Sequence, residues 1–272
     1  MKGGGMEKEL ALIGCGNMGS AAAKGIVNAG LVAPDSMMVS DVHEEAQQKL
    51  ANELGCMGTC NNREAVSGAR TVIIAVKPQQ LDKVVRGFAK SVGENTVVVS
   101  IAAGVTLARL EGLLGSDCKI VRTMPNLPAM VGEAMSGLSP NANVTDEELA
   151  YVKSLFEGFG KAEVVPEDLM DAVVAVSGSA PAYVSVLIEA MADAAVMEGM
   201  PRKQAYRFAE QSVLGTAKYL LETGTHPAEL KDLVSSPAGT AIQAVATLEE
   251  DGLRSTIIHA LTACAQRSRE LA

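Results

Sequence analysis

The chain has 272 residues, 48% of them hydrophobic and 20% charged, which suits a compact core and argues against long disorder. Lys and Arg number 23 against 32 Asp and Glu, and a net charge of −9 with no basic run disfavours a nucleic-acid partner. Five scattered cysteines, with no second ligand pair for Cys56 and Cys60, exclude a zinc-type spacing and read as thiols of a reducing compartment, so no metal is expected.

Residues 1–6 carry no apolar signal core, so a cytoplasmic location is expected. Residues 10–13 then form an apolar run that reads as a strand, followed at once by Gly14-Cys15-Gly16-Asn17-Met18-Gly19 and by helical spacing over 18–29. In that context the three glycines serve a tight turn, a close backbone approach to a pyrophosphate and helix–strand packing. The helix start beyond them offers N–H groups and a positive dipole end to phosphates.

Residues 37–39 read as the next strand, with Asp41 just past it and a helix over 44–54. A carboxylate there either accepts hydrogen bonds from an adenosine ribose and repels a 2′-phosphate, or caps the following helix. With no Lys or Arg within three residues of it, Asp41 leans the reading towards NADH over NADPH. Further strands are expected at 71–76, 96–101 and 119–121, with helices at 81–89 and 107–114. Such alternation is the pattern of a doubly wound α/β domain, whose ligands bind beyond the carboxyl ends of the strands. Ala75-Val76-Lys77-Pro78 and Ala102-Ala103-Gly104-Val105 lie at two of those ends, where small residues let a nicotinamide riboside rest on backbone. Lys77 is either a donor to its ribose or a solvated surface lysine.

After Pro166 no further strand is expected, and helices follow one another, with Pro181, Pro201, Pro227 and Pro237 placed where helices begin. The expected division is a dinucleotide-binding domain over 1–166 and a helical domain over 167–272. The longest uncharged stretch, 172–188, is broken near its centre by Ser177-Gly178-Ser179-Ala180-Pro181, which argues against a membrane span. His43, His226 and His259 lie outside these motifs and read as surface or capping residues. Instead, the Ser177–Tyr183 and Ser235–Thr240 segments read as two helix starts, each able to hold a small carboxylate. A protonated C=N substrate would suit a site without a general acid, because the iminium brings its own proton.

These motifs, with Ser100-Ile101-Ala102-Ala103-Gly104-Val105-Thr106, Met124-Pro125-Asn126-Leu127-Pro128-Ala129 and His226-Pro227-Ala228-Glu229-Leu230-Lys231-Asp232, resemble the pyrroline-5-carboxylate reductase family in order from about residue 9 to 271. The resemblance implies an α/β fold: a Rossmann-type doubly wound domain followed by an all-helical dimerisation domain. It implies reduction of 1-pyrroline-5-carboxylate to L-proline with NADPH or NADH, and a domain-interleaved homodimer that sometimes assembles into a decamer. By position, Asn62 would meet the adenosine side, and Ala75, Lys77, Pro78, Ala102 and Asn126 the nicotinamide side. Ser236 and Thr240 are the expected catalytic pair, with Ser177, Ser179, Ala238 and Gly239 completing the substrate site. Two positions depart from the pattern: Ala238 stands where a glycine is usual, and Ala241 where a threonine is expected to reach the ring nitrogen. The departures leave room for a related six-membered imine as substrate, or for a non-catalytic dinucleotide-sensing dimer.

Overall fold

The computed structural model of the chain describes residues 8–271; the N-terminal stretch read above for a secretion signal lies outside the described residues. Eight strands form one sheet in the order β3-β2-β1-β4-β5-β6-β7-β8. They are β1 (Lys8–Ile13), β2 (Met37–Ser40), β3 (Met57–Thr59), β4 (Ala69–Ile74), β5 (Val97–Ser100), β6 (Lys119–Met124), β7 (Ala134–Pro140) and β8 (Gly160–Val164). The first six run parallel, and β7 turns antiparallel to β6 while pairing in parallel with β8. In the first half the helices are α1 (Asn17–Asn28), α2 (Glu44–Leu54), α3 (Asn62–Val66), α4 (Pro78–Phe88), α5 (Leu107–Leu114) and α6 (Asp146–Glu157).

The central strands carry continuous apolar runs, Leu10 to Ile13, Val72 to Ile74 and Val97 to Val99, because both faces are covered there. Leu10, Leu12, Val97, Val99 and Val121 pack on one side with Ile26 and Phe156, while Ile13, Val72, Ile74 and Val98 pack on the other with Leu81 and Leu110. This burial accounts for the strands expected from the sequence, shifted at their ends. The run expected at 71–76 is strand only over Ala69–Ile74, so Ala75 and Val76 belong to the loop beyond it.

The later helices are α7 (Met170–Val173), α8 (Ala180–Met197), α9 (Arg202–Thr223), α10 (Pro227–Leu233), α11 (Thr240–Glu250) and α12 (Leu253–Leu271). Two compact units emerge: the described residues up to Ser179 together with those from Ala265 on, and residues 180–264. Within the second unit only Ala192, Ala205 and Ala209 are buried, all on the facing sides of α8 and α9. Large apolar side chains such as Val186, Leu187, Phe208 and Leu214 stand exposed there. One helical run, Glu167–Met197, is long and apolar enough to cross a membrane by length and composition alone.

Three of the four prolines mark helix starts: Pro181 is the second residue of α8, Pro201 the cap of α9 and Pro227 the first residue of α10. Pro237 does not. It sits in a turn whose Gly239 N–H donates to the Ser236 carbonyl at 3.0 Å, ahead of α11.

Candidate active site

The turn after β1 is built by three glycines with three different constraints. Gly14 has φ +107°, and a Cβ on it would lie 2.6 Å from the Ala75 carbonyl oxygen. Its own N–H donates to the Ser40 carbonyl at 2.8 Å, which ties the turn to β2. A Cβ on Gly19 would lie 2.0 Å from the Gly14 oxygen, so only glycine lets α1 pack this close. Gly16 differs: its backbone is extended, and a Cβ there would meet nothing within 4 Å.

Gly16 caps α1 without a side chain, so the first-turn N–H groups, including those of Asn17 and Met18, have no side-chain cap. A cavity of about 380 Å³, lined in part by Cys15, Gly16 and Asn17, opens beside them. The arrangement fits a dinucleotide pyrophosphate: open space, backbone donors and a positive dipole end. Cys15 is no nucleophile here. Burial, with the nearby Asp41 charge, pushes its thiol up to about 12 and keeps it protonated.

At the end of β2, Asp41 accepts hydrogen bonds at both carboxylate oxygens. The Cys15 N–H donates to Oδ2 at 2.8 Å and the His43 N–H to Oδ1 at 2.9 Å. The cap of α2 is His43, without a side-chain bond, so the alternative of Asp41 as helix cap is corrected. One residue earlier, the Ser40 hydroxyl donates to Asn62 Oδ1 at 2.7 Å, which sets the start of α3 beside the β2 end. Beyond β4, Ala75 continues the ladder through its N–H to the Ile13 carbonyl at 2.7 Å. Lys77 is exposed and caps α4, with Pro78 as the first helical residue. Ala102 is buried just past β5. Asp41, Ala75 and Lys77 follow the carboxyl ends of β2 and β4, which flank β1 where the strand order changes direction, while Asn62 and Ala102 follow β3 and β5, one strand further out on either side.

Asn126, after β6, is fully engaged within the protein. Its Nδ2 donates to the Ser177 carbonyl at 3.3 Å and to the Ser177 hydroxyl at 3.2 Å, and its Oδ1 accepts from the Met135 N–H at 2.9 Å. A helix does start within the Ser177–Tyr183 segment, α8 at Ala180, as the sequence had suggested, but its start is not an open one. Val174–Gly178 is a π-helical turn inside a continuous helical run, and the Ser179 N–H donates back to the Val174 carbonyl at 2.8 Å. Pro181 has no N–H to return to the Ser177 carbonyl, and the Asn126 amide takes that acceptor instead. Ser177 is therefore buried behind Asn126, while Ser179 is half-buried.

A partly buried ion pair beside this region was not foreseen from the sequence. Arg122, in the last turn of pleat of β6, is 6% exposed, and its Nη1 donates to Glu167 Oε1 at 2.9 Å. The same oxygen accepts from the Leu107 N–H at 2.7 Å, the first residue of α5. Glu167 thus holds the β5–α5 loop to β6. An arginine directly after the apolar pair Ile120-Val121 in a central strand was the available signal.

In the second unit, the Ser236–Thr240 turn has its own constraint. Ala238 has φ +56°, the one non-glycine with positive φ among the described residues. Proline followed by a left-handed residue, closed by the Gly239-to-Ser236 bond, is the form of a type II turn, which favours glycine at the place Ala238 holds. Ser236 is exposed, and a Cβ on Gly239 would lie 2.3 Å from its Oγ, so Gly239 keeps that hydroxyl against the turn. Gly239 caps α11 without a side chain, and Thr240 is its first, exposed residue. His226 caps α10, its Nδ1 accepting from the Ala228 N–H at 3.2 Å, and His259 is exposed on α12.

Comparison with known proteins adds a family to this geometry. Residues 167–271 match the model described as pyrroline-5-carboxylate reductase dimerisation, and residues 9–104 match that of NADP oxidoreductase coenzyme F420-dependent. A pyrroline-5-carboxylate reductase of Escherichia coli is 48% identical over 266 residues, covering 98% of this chain and 99% of that one. One from Methanosarcina acetivorans is 46% identical, covering 97% and 98%. Among solved structures, a pyrroline-5-carboxylate reductase from Coxiella burnetii superposes with a TM-score of 0.93 at 33% identity, over 98% of this chain and 99% of that one. A Plasmodium falciparum pyrroline carboxylate reductase with NADP bound gives 0.85 at 29% identity, over the same shares.

Proposed function

This chain belongs to the pyrroline-5-carboxylate reductase family, and we infer that it reduces the C=N bond of 1-pyrroline-5-carboxylate with NADH or NADPH, giving L-proline. The observation that carries the reading is the glycine turn, whose open face at Gly16 adjoins the uncapped start of α1. The dinucleotide supplies a hydride when bound; the residues bind and orient. The N–H groups at the start of α1 hold the pyrophosphate, and Asp41 and Asn62 meet the adenosine side. Ala75, Lys77, Pro78, Ala102 and the body of Asn126 line the nicotinamide riboside. Ser177, whose hydroxyl and carbonyl accept from Asn126, acts by positioning that residue.

The Ser236 hydroxyl and the backbone N–H groups at Ala238, Gly239 and Thr240 are the proposed holders of the substrate carboxylate, and Ser179 and the Thr240 hydroxyl are further substrate contacts that the family resemblance implies. Because the iminium carries its proton, the site needs position more than a general acid, and no histidine is called upon. The division at residue 167 separates the dinucleotide part from a dimerisation part, a boundary supported by the start of the dimerisation match. A second copy, interleaved with the first, is the proposed cover for the exposed apolar side chains of the helical unit, and assembly into a decamer and a cytoplasmic location belong to the same reading. Ala241, lacking a hydroxyl, favours one second reading, a six-membered cyclic imine as substrate; relative rates on the two rings separate them.

Gly16→Val tests the carrying observation. Gly16 has φ −70° and an unobstructed Cβ direction, so valine fits the protein and obstructs only a ligand. The expected result is an unchanged circular-dichroism melt with no detectable NADH binding by fluorescence. Retained binding would contradict the pyrophosphate assignment.

A further inference from the structure

We propose that Asp41 makes this protein select NADH over NADPH, an inference that rests on the dinucleotide reading above. The Asp41 carboxylate is gripped between two backbone donors, the Cys15 N–H of the glycine turn and the His43 N–H of the β2–α2 loop. A carboxylate offers about four acceptor sites. Two are taken here, and the half-buried side chain keeps the others for ribose hydroxyls, which are donors. A 2′-phosphate has no proton to donate and brings a second negative group against a carboxylate that its two anchors prevent from swinging aside.

The segment around Asp41 offers that phosphate no cation of its own. Residues 25–48 contain neither Lys nor Arg, and Glu44 and Glu45 add two exposed carboxylates in the first turn of α2. Arg63, next to Asn62, spends its Nε on the Gly87 carbonyl at 2.7 Å. Lys24 is paired with Glu53 at 2.7 Å, and Lys49 lies further along α2 in the groove those two line. The position open to a cation is Val42, which is 70% exposed and follows Asp41 directly.

Calorimetric Kd values for NADH and NADPH on the full chain test the proposal without requiring turnover. The wild-type protein is expected to bind NADH about tenfold or more tighter than NADPH, the scale of one like-charge contact at a partly screened surface. Asp41→Asn keeps an acceptor oxygen but removes the charge, and should narrow the ratio by about tenfold, chiefly through NADPH. Any loosening of the glycine turn weakens both ligands together and leaves the ratio untouched. Val42→Arg, on an exposed side chain, should tighten NADPH and leave NADH unchanged. Wild-type binding of NADPH as tight as NADH, or a ratio that neither variant moves, would overturn the proposal alone. Binding of neither dinucleotide would overturn it together with the reductase reading.

Discussion

Ala238 is the residue where sequence and backbone are most openly at odds. Its left-handed conformation brings Cβ against the following peptide, a cost of about 1 kcal/mol relative to glycine. Ala238→Gly is therefore expected to stabilise the protein by about 1 kcal/mol, read as a higher midpoint in chemical denaturation. A lower midpoint would mean that the methyl group makes contacts outweighing the strain. At this scale the glycine turn was legible because each glycine answers a local demand that spacing alone reveals. Asp41 was not, since a carboxylate three residues ahead of a helix has the same spacing whether it caps, binds a ribose or braces a turn. Its two backbone bonds exclude the first and establish the third.

Among the elements, the parallel strands β1, β2, β4, β5 and β6 declared themselves by continuous apolar runs, while β3, β7 and β8 did not. β7 reads Ala-Met-Ser-Gly-Leu-Ser-Pro, and its small residues are buried because Val173 packs where a Cβ on Gly137 would lie, 3.0 Å away. β3 and β8 are short edge strands with mostly uncovered side chains, so they lack the hydrophobic signal of the centre. The start of α8 was legible from the small polar residues before Pro181; the π-turn that precedes it and the Asn126 amide that takes the Ser177 carbonyl were not. The Arg122–Glu167 pair joins three elements. Glu167→Ala would leave Arg122 without its partner and the Leu107 N–H without its acceptor, a loss of about 2 kcal/mol, between the exposed and the fully buried case. Glu167→Gln, which keeps an acceptor, should lie between alanine and wild type in denaturation midpoint. Equal midpoints for all three proteins would show that the pair carries no stability.

For the whole molecule, two different kinds of burial divide the work. The sheet unit closes its own core on both faces, whereas the helical unit buries only three alanines and leaves large apolar residues uncovered. Exposed apolar area on that scale marks a surface meant for another protein surface, in keeping with the dimerisation match over residues 167–271. The sheet architecture was legible from strand–helix alternation. The proposed substrate side was legible chiefly through its resemblance to a family, because Ser236, Gly239 and Thr240 sit in a turn and a helix start of a kind that many proteins share. Ala238 and Ala241 are where that resemblance is incomplete.

The most direct test is the initial rate of NADH oxidation with 1-pyrroline-5-carboxylate, with L-proline identified as the product. The expected result is turnover that depends on the imine and yields proline in step with the NADH consumed. Tight dinucleotide binding with no proline formed would contradict it, leaving a dimer that senses the dinucleotide without reducing this imine.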